Sequence, residues 1–205
     1  MSRLITGVKS RWRRQVIGRA YETAREVAEV IPPNGRVLDV GCGHGFVAYH
    51  LTVMRGSNVV GLDLAKRVDA PINYVSYDGT TFPVTDGSVD SVLLCYVLHH
   101  TQDISVVLNE VSRVLRKDGT VVVYEDIPQS LWDRIPLWIH NRKWESRTGP
   151  CTFRSGSEWR SVFNSFGFEI VAENPHSRWS YLLHPVTHMQ YVLRYNDPNS
   201  LAVNN

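Results

Sequence analysis

The chain has 205 residues, which is enough for one domain with a substantial core and too short for two ordinary ones. Lysine and arginine number 22 against 20 acidic residues, a net charge of +2, but six of the cations and no acid fall within residues 1–19. The other 16 basic and 20 acidic residues leave the body of the chain near −4, which argues against a broad nucleic-acid-binding surface. We therefore expect no nucleic-acid partner.

Three isolated cysteines, Cys42, Cys95 and Cys151, form no C-x-x-C pair and are odd in number. They suggest neither a disulfide framework nor a zinc site, so we predict no metal and a reducing compartment such as the cytoplasm. No apolar run approaches the length of a transmembrane helix, and residues 4–8 are too short for the core of a signal peptide.

The first predicted element is an amphipathic helix over about residues 11–30. Its apolar residues recur at three- and four-residue steps from Val16 to Ile31, and the sequence Pro-Pro-Asn-Gly at residues 32–35 ends it. The basic arm at residues 3–19 predicts a weak contact with a membrane surface or another anionic partner, and the alternative is a solvated helix start. Residues 1–31 are expected to form the arm and first helix of a single domain over residues 1–205.

A strand, a glycine turn and a helix follow directly. Residues 36–40 are typical of a strand buried on both faces, Gly41, Gly43 and Gly45 form the turn, and the helix continues to Gly56. Glycines there allow positive φ and a close approach by a ligand, and unpaired amides at a helix start favour an anionic group. The pattern predicts a nucleotide-type cofactor pocket, with a purely structural strand–helix turn as the alternative.

Two acidic residues follow the next two predicted strands. Residues 58–63 form the second strand and end in Asp63, where a carboxylate can accept hydrogen bonds from ribose hydroxyls. Residues 72–76 form the third strand, followed by Asp78 and Gly79. Because ligands of open parallel sheets bind beyond the carboxyl ends of the strands, the glycine turn and both acids should surround one pocket.

The central part of the chain predicts two more strands around a helix. Residues 88–95 form the fourth strand, Asp103 caps a helix with an apolar face from Ile104 to Leu115, and residues 117–119 end that helix. Residues 120–126 form the fifth strand. Both strands bring polar residues to their carboxyl ends.

The regular alternation breaks at residues 127–154, where three tryptophans and three prolines lie among basic residues. We predict a small lid over the pocket, and a hydrophobic packing insert is the alternative. Ser155 and Glu158 form a capping box for the next helix, and residues 168–172 and 189–195 are the last two predicted strands. The tail beyond the last strand is expected to fray.

The chain resembles the class I S-adenosylmethionine-dependent methyltransferases, and within them the small-molecule group called type 11. The resemblance rests on five segments within about residues 36–195: VLDVGCGHG, GLDL, YDGTTFPVTDGSVDSVLLCYVLHHT, LNEVSRVLRKDGTVVVYED and FRSGSEWRSVFNSFGFEIV. It implies an α/β fold with a Rossmann-like, seven-stranded, mostly parallel sheet, an antiparallel last strand, helices on both faces and a small lid after the fifth strand.

The resemblance also assigns residues to the cofactor S-adenosylmethionine. The glycine turn would wrap its methionine part, Asp63 would hold the ribose and Asp78 the adenine amine, with the backbone around Cys95 at the amino group. The full cofactor set is Asp39, Gly41, Gly43, Gly45, Asp63, Leu64, Asp78, Gly79 and Cys95. The acceptor would be a small molecule, with an oxygen or nitrogen nucleophile favoured over carbon or sulfur.

Methyl transfer from a sulfonium is an in-line displacement in which a base is optional. His99 and His100 after the fourth strand are the first candidates for such a base, with Tyr96, Glu125 and Asp126 behind them. The histidine pair is otherwise a helix-start feature. Three other interpretations stay open: a nicotinamide dehydrogenase, a non-catalytic cofactor-binding or regulatory protein, and a membrane-associated methyltransferase with a lipid-like acceptor.

Overall fold

The computed structural model describes residues 2–64, 68–176 and 186–196, with side chains from residue 16 onward. The helices in these ranges are α1 Ser2–Val30, α2 Phe46–Arg55, α3 Ile104–Val114, α4 Arg134–Thr148 and α5 Gly156–Ser165. The strands are β1 Arg36–Val40, β2 Asn58–Asp63, β3 Asn73–Ser76, β4 Val89–Cys95, β5 Leu115–Ile127, β6 Phe168–His176 and β7 Thr187–Tyr195. Short 3-10 turns cover Leu98–His100 and Leu131–Asp133.

The seven strands form one sheet in the order β3-β2-β1-β4-β5-β7-β6. β1 runs parallel to β2 and β4, and the parallel pairing extends to β3 and β5. β7 is antiparallel to both of its neighbours, β5 and β6. The predicted mostly parallel sheet with an antiparallel last strand is therefore confirmed. The chain leaves β1 towards one edge and returns to its other side at β4, so a ligand crevice is expected beyond the carboxyl ends of these two strands.

Helices cover both faces of the sheet because the central strands are apolar on both. Leu38 and Val40 of β1 pack in the core shared with α3 and α5. Val37 packs in the opposite core, which α1 and α2 share. Successive side chains of a strand alternate between faces, so Asp39, the polar residue inside β1, lies on the α1 and α2 side.

α1 begins at Ser2, about nine residues earlier than its apolar spacing predicts. Apolar spacing detects only the turns of a helix that carry an apolar stripe, whereas arginine and lysine, which are frequent in the first turns here, are also good helix formers. The side chains of residues 2–15 lie outside the described part of the structure, as does the tail expected to fray. The anionic contact predicted for residues 3–19 stays a prediction.

β5 begins at Leu115, whereas the sequence placed its start at Thr120. Leu115 pairs with Val89, and a register shift separates this pair from the regular ladder that starts at Thr120. Residues 117–119 were predicted to end the preceding helix, but they form an irregular part of β5 in which Asp118 has a φ of 64°. The sequence correctly indicates a turn at residues 117–119, but it does not indicate that this turn lies inside a strand.

The segment predicted as a lid folds into a 3-10 turn and the helix α4. Leu137 of α4 is buried, while Trp138 beside it is exposed, so α4 carries apolar residues on both its inner and outer sides. Within the described residues, no helix combines the length and apolarity needed to cross a membrane.

Replacing Ser155 by alanine is expected to destabilise the fold by about 1 kcal/mol. Ser155 Oγ accepts a hydrogen bond from the Glu158 amide at 3.3 Å, and the Glu158 carboxylate accepts one from the Ser155 amide at 2.7 Å, so the predicted capping box is confirmed. Ser161→Ala on the exposed side of α5 is the matched control, with an expected change within about 0.5 kcal/mol. Urea unfolding measures both, and equal effects would contradict a role for the cap.

Candidate functional site

The turn after β1 has the left-handed backbone that its glycines predict. Gly41, Gly43 and Gly45 have φ angles of 72°, 54° and 79°. A methyl group added at Gly41 would overlap Val97, so only glycine fits there. At Gly43, by contrast, nothing lies within 4 Å of the position a Cβ would take. The middle of the turn therefore faces open space.

Asp63 joins the carboxyl end of β2 to this turn. Its Oδ2 accepts a hydrogen bond from the Gly43 amide at 2.9 Å. The turn is also held to β2 by the amides of Gly41 and Cys42, which both donate to the Leu62 carbonyl, at 2.8 and 3.0 Å. The two features on which the cofactor prediction rests thus lie in direct contact.

Asp39 is a buried carboxyl group at the base of the turn. Only 2% of its surface is exposed, and Oδ2 has no hydrogen-bond partner among the described residues. Burial, together with the negative charge of Asp63, raises the pKa of Asp39 to about 7. A buried acceptor without a partner is costly, so this group is better explained by a ligand than by the packing of β1.

A cavity of about 230 Å³ opens beside the turn, between the carboxyl ends of β1 and β4 and the helix α1. Four of the predicted cofactor residues line it: Asp39, Gly41, Gly45 and Cys95. The described residues of α1 that contribute are Val16, Arg19, Ala20 and Thr23. The cavity lies where the topology of the sheet places a ligand crevice.

Arg19 and Tyr96 also line this cavity, although the sequence offers Tyr96 only as a secondary candidate base and places Arg19 in the basic arm. The Arg19 guanidinium lies 4.3 Å from the centre of the Tyr96 ring, a cation–π contact. Tyr96 has a φ of 59°, which is unusual for a bulky residue and is often retained at functional sites. The spacing of Arg19 from Val16, Ala20 and Thr23 on one helix face was the available signal for its inward position.

The other predicted cofactor residues lie farther along the carboxyl edge. Leu64 is exposed, and its Cδ2 would lie 3.1 Å from a Cβ added at Gly79. Asp78 Oδ1 accepts hydrogen bonds from the Thr80 amide and hydroxyl, both at 2.8 Å, and from the Thr81 amide at 3.1 Å. These bonds lower the pKa of Asp78 to about 2, so its carboxylate is ionised and held in one direction.

The predicted base candidates His99, His100 and Glu125 do not line this cavity. His99 and Glu125 are fully buried, and His99 Nδ1 lies 2.6 Å from Glu125 Oε2. Burial lowers the pKa of His99, but the Glu125 carboxylate outweighs it, so that the pKa is raised. Glu125 Oε1 also accepts the Leu98 amide at 2.8 Å, which fixes the 3-10 turn to the end of β5.

His100 contacts α4, in the segment predicted to be a lid, although no residue of that segment, which the structure describes in full, lines the cavity beside the glycine turn. His100 Nε2 lies 3.2 Å from His140 Nε2, and its Nδ1 lies 3.2 Å from Thr148 Oγ1. Burial, followed by the positive charges that His99 and His140 can carry, lowers the pKa of His100 to about 3. His140 is a further residue that chain spacing could not bring to this position, because it is 40 residues away in the sequence.

The strand order, the antiparallel last strand and the cavity over the first glycine turn define a class I methyltransferase fold. Residues 38–123 match the sequence model of the methyltransferase domain family. The chain is 28% identical over 160 residues to a sterol 24-C-methyltransferase of Kluyveromyces lactis, covering 70% of this chain and 43% of that protein. It is 29% identical over 141 residues to a demethylmenaquinone methyltransferase of Thermus thermophilus, covering 62% and 60%.

A solved structure of geranyl diphosphate methyltransferase in complex with S-adenosylmethionine shares the fold. Its TM-score is 0.69 at 15% identity, over 86% of this chain and 85% of that chain. Over residues 38–123 the chain is therefore similar to methyltransferase domains, and it shares the fold of a solved methyltransferase structure. Its matched region spans about half the length of the two named relatives.

The residues present fit S-adenosylmethionine. The buried Asp39 oxygen without a partner suits the positive charge of the cofactor's amino acid end, and the open space at Gly43 lets a ligand reach the backbone amides of the turn. Asp63 is fixed by Gly43 through one oxygen, and its second oxygen is the candidate acceptor for ribose hydroxyls.

Replacing Gly43 by alanine is expected to weaken the binding of S-adenosylmethionine about tenfold or more, which corresponds to a loss of about 1.4 kcal/mol of binding free energy. A methyl group there is strained at a φ of 54° and projects into the open space beside the turn. Gly87→Ala is a matched control, because Gly87 has a φ of 57° and equally open surroundings, in the turn before β4 at the opposite edge of the sheet.

Both glycine variants should lose a similar, small amount of stability, about 1–2 kcal/mol. Only Gly43→Ala should lose affinity in isothermal titration calorimetry. Equal affinity for the cofactor in the two variants would show that the turn does not contact it.

Proposed function

We propose that the protein transfers a methyl group from S-adenosylmethionine to a small molecule with a largely apolar body. The observation that carries the proposal is the buried Asp39 carboxyl group beneath a glycine turn whose open member, Gly43, is held by Asp63. Burying Asp39 without a partner brings no benefit to the fold, whereas a cationic ligand would compensate for it.

The chain contributes to this reaction mainly by positioning. When bound, S-adenosylmethionine supplies a methyl group on a positively charged sulfur, which the acceptor's nucleophile displaces in line as the carbon–sulfur bond breaks. Asp39 and the glycine turn would hold the amino acid end, Asp63 the ribose, and Asp78 with Leu64 and Gly79 the adenine. Holding the reactants in line can contribute about 7–11 kcal/mol.

A base is needed only if the acceptor's nucleophile carries a proton. His99 and Glu125 are buried against each other, and we propose that they position the 3-10 turn at the edge of the site. The preference for an oxygen or nitrogen nucleophile, made from the sequence, stays a prediction. One named relative acts at carbon, so carbon acceptors belong in the assay.

Two observations favour an acceptor with an apolar body. The names of two relatives, a sterol and a demethylmenaquinone methyltransferase, describe acceptors of this kind for those proteins. In this chain, the outer side of the lid segment has apolar side chains that are 55–77% exposed: Leu131, Trp132, Ile135, Trp138 and Ile139. A group of exposed apolar side chains on one segment marks an interaction site more often than a solvated face.

The same outer side supports a second candidate, a methyltransferase that takes a lipid-like acceptor from an anionic membrane. Exposed cations, Arg134, Arg142, Lys143 and Arg147, lie on the same helix as the exposed Trp138 and would attract anionic lipid headgroups. The double variant Trp132→Ser, Trp138→Ser should lose about tenfold or more of its partitioning onto phosphatidylglycerol vesicles. The double variant Val53→Ser, Val171→Ser, exposed elsewhere, should not, and equal partitioning of the two would exclude this candidate.

We also propose a reducing compartment such as the cytoplasm. Cys42, Cys95 and Cys151 are free thiols and each is partly accessible. Thiols of this kind persist where glutathione and thioredoxin keep them reduced.

Incubation of the protein with methyl-labelled S-adenosylmethionine and a lipid-containing metabolite extract tests the proposed function. We expect a labelled product, found by mass spectrometry, that Asp63→Ala abolishes and the control Asp86→Ala does not. Cofactor binding without any labelled product would favour the non-catalytic interpretation. Absence of cofactor binding would contradict the proposal itself.

A further inference from the structure

Three imidazole rings meet where the lid helix α4 lies against the carboxyl end of β4. His99 and His100 belong to the 3-10 turn after β4, and His140 belongs to α4. His140 Nε2 lies 3.3 Å from His99 Nε2 and 3.2 Å from His100 Nε2. The candidate ligand atoms of all three residues lie within 4.8 Å of one another.

The contact with Glu125 determines which nitrogen of His99 carries the proton. His99 Nδ1 lies 2.6 Å from Glu125 Oε2, and a carboxylate can only accept, so the proton is on Nδ1. When Nε2 of this ring carries no proton, it presents a lone pair to the cluster. A carboxylate on the far nitrogen is also the usual outer partner of a metal-bound histidine.

The contact with Thr148 likewise indicates which nitrogen of His100 carries the proton. The Thr148 hydroxyl lies 3.3 Å from the Trp144 carbonyl, to which it donates, so it accepts from His100 Nδ1 at 3.2 Å. Cys151 Sγ is the other neighbour of this nitrogen, also at 3.2 Å, and is a weaker partner. His100 Nε2 therefore presents a second lone pair towards His140.

A shared cation suits this arrangement better than hydrogen bonds among the three rings. Two lone pairs face one nitrogen of His140, which can carry a single proton. In a tetrahedral zinc site, metal–nitrogen distances of about 2.0–2.1 Å separate neighbouring ligand nitrogens by about 3.3–3.4 Å. Two of the three nitrogen separations, 3.3 and 3.2 Å, are at this spacing.

We propose that His99, His100 and His140 bind one divalent transition-metal ion of the zinc type. Imidazole nitrogens suit Zn²⁺ and its neighbours in the first transition row, whereas Mg²⁺ and Ca²⁺ require oxygen ligands. Three protein ligands leave a fourth position open to water or to an acceptor atom. This proposal differs from the sequence prediction of no metal, which rests on spacing along the chain, because His140 comes from a different element.

The surroundings favour an ion that is shielded from water. The Phe153 ring stacks on His99 with centroids 5.0 Å apart, and Trp144 packs edge-on against His100 at 5.4 Å. His99 itself is fully buried. The ion would join α4 to the carboxyl end of β4, so its binding should also hold the lid segment in place.

Titration of the chelator-treated full-length protein with Co²⁺ tests the proposal. We expect one Co²⁺ per chain, with the visible d–d absorption bands of a four-coordinate site, and displacement by Zn²⁺. This readout uses the unaltered protein, so it does not depend on whether a variant folds. Absence of the bands, or a spectrum of hexa-aqua cobalt at saturating protein, would overturn the proposal.

Variants locate the ion. His140→Ala should weaken Co²⁺ binding about a hundredfold or more, and Glu125→Gln about 10–100-fold through loss of its outer partner. His50→Ala on α2, whose ring packs against Tyr21 and Tyr49 with centroids 5.4 Å apart in each pair, is the control and should bind as the wild type does. Equal binding in His140→Ala and His50→Ala would overturn the assignment. S-adenosylmethionine binding, measured on the same samples, separates this outcome from failure of the proposed function.

Discussion

Replacing Asp63 by alanine is expected to weaken the binding of S-adenosylmethionine about a hundredfold or more. Asp63 accepts the Gly43 amide at 2.9 Å, and its other oxygen is the proposed acceptor for the ribose. A hydrogen bond to a charged group contributes about 1.5–3 kcal/mol. Loss of the bonds to both ribose hydroxyls would therefore exceed the roughly 2.8 kcal/mol that a hundredfold change in affinity requires. Isothermal titration calorimetry measures the effect.

Two further substitutions show whether the loss of affinity in Asp63→Ala comes from the Asp63 carboxylate itself. Asp63→Asn keeps an acceptor for Gly43 and removes the charge, so its affinity should lie between those of the wild type and Asp63→Ala. Asp86→Ala is the control for loss of an acid, because Asp86 is 75% exposed before β4, at the opposite edge, in a surface ion pair with Arg113. Wild-type affinity in Asp63→Ala would contradict the assignment of this residue to the cofactor.

Replacing Asp39 by asparagine is expected to change stability and binding in opposite directions. At pH 8 the variant should unfold at a higher urea concentration, with a gain of about 1–3 kcal/mol, because a tenfold change in proton affinity corresponds to about 1.4 kcal/mol. Its affinity for S-adenosylmethionine should fall about tenfold or more, since the charge that faces the cofactor is lost.

The pH dependence gives the sign of the stability effect. Burial and Asp63 raise the pKa of Asp39 from 3.8 to about 7 in the folded protein. Folding therefore favours the protonated form of Asp39. The stability that this preference provides is fully present below pH 3.8 and is lost as the pH rises through about 7, the pKa in the folded protein. The advantage of Asp39→Asn should be small near pH 4 and should grow to its full size above pH 7.

Urea unfolding at pH 4.5 and pH 8 compares Asp39→Asn with the surface control Asp86→Asn. The control should change by no more than about 0.5 kcal/mol at either pH. A variant that is less stable than the wild type at pH 8 would show that the Asp39 charge supports the fold, and would remove the argument that it serves a ligand.

The parts of the fold that local sequence determines were predicted closely. β2 has the bounds that its apolar run and flanking residues indicate, Asn58–Asp63, and the glycine turn has the positive φ angles expected. Asp103 caps α3 as predicted, accepting the Ser105 amide at 2.9 Å. These features depend on periodicity, turn chemistry and caps, all of which lie within a few residues of one another.

The remainder of the site depends on contacts between distant elements. Arg19 reaches the cavity because α1 packs across the sheet, and His140 reaches His100 because the lid segment folds back as a helix. The sequence placed His99 and Glu125 at the carboxyl edge, which is where they lie, but not their mutual burial. Periodicity within an element does not determine which elements meet.

The central claim is that the turn at residues 41–45, Asp39 and Asp63 together hold S-adenosylmethionine. A crystal structure of the protein with S-adenosylhomocysteine tests it most directly. We expect the ribose hydroxyls within hydrogen-bond distance of Asp63 and the amino acid end beside Asp39 and the turn. A nucleoside bound elsewhere, with Asp39 still without a partner at saturating ligand, would contradict the claim.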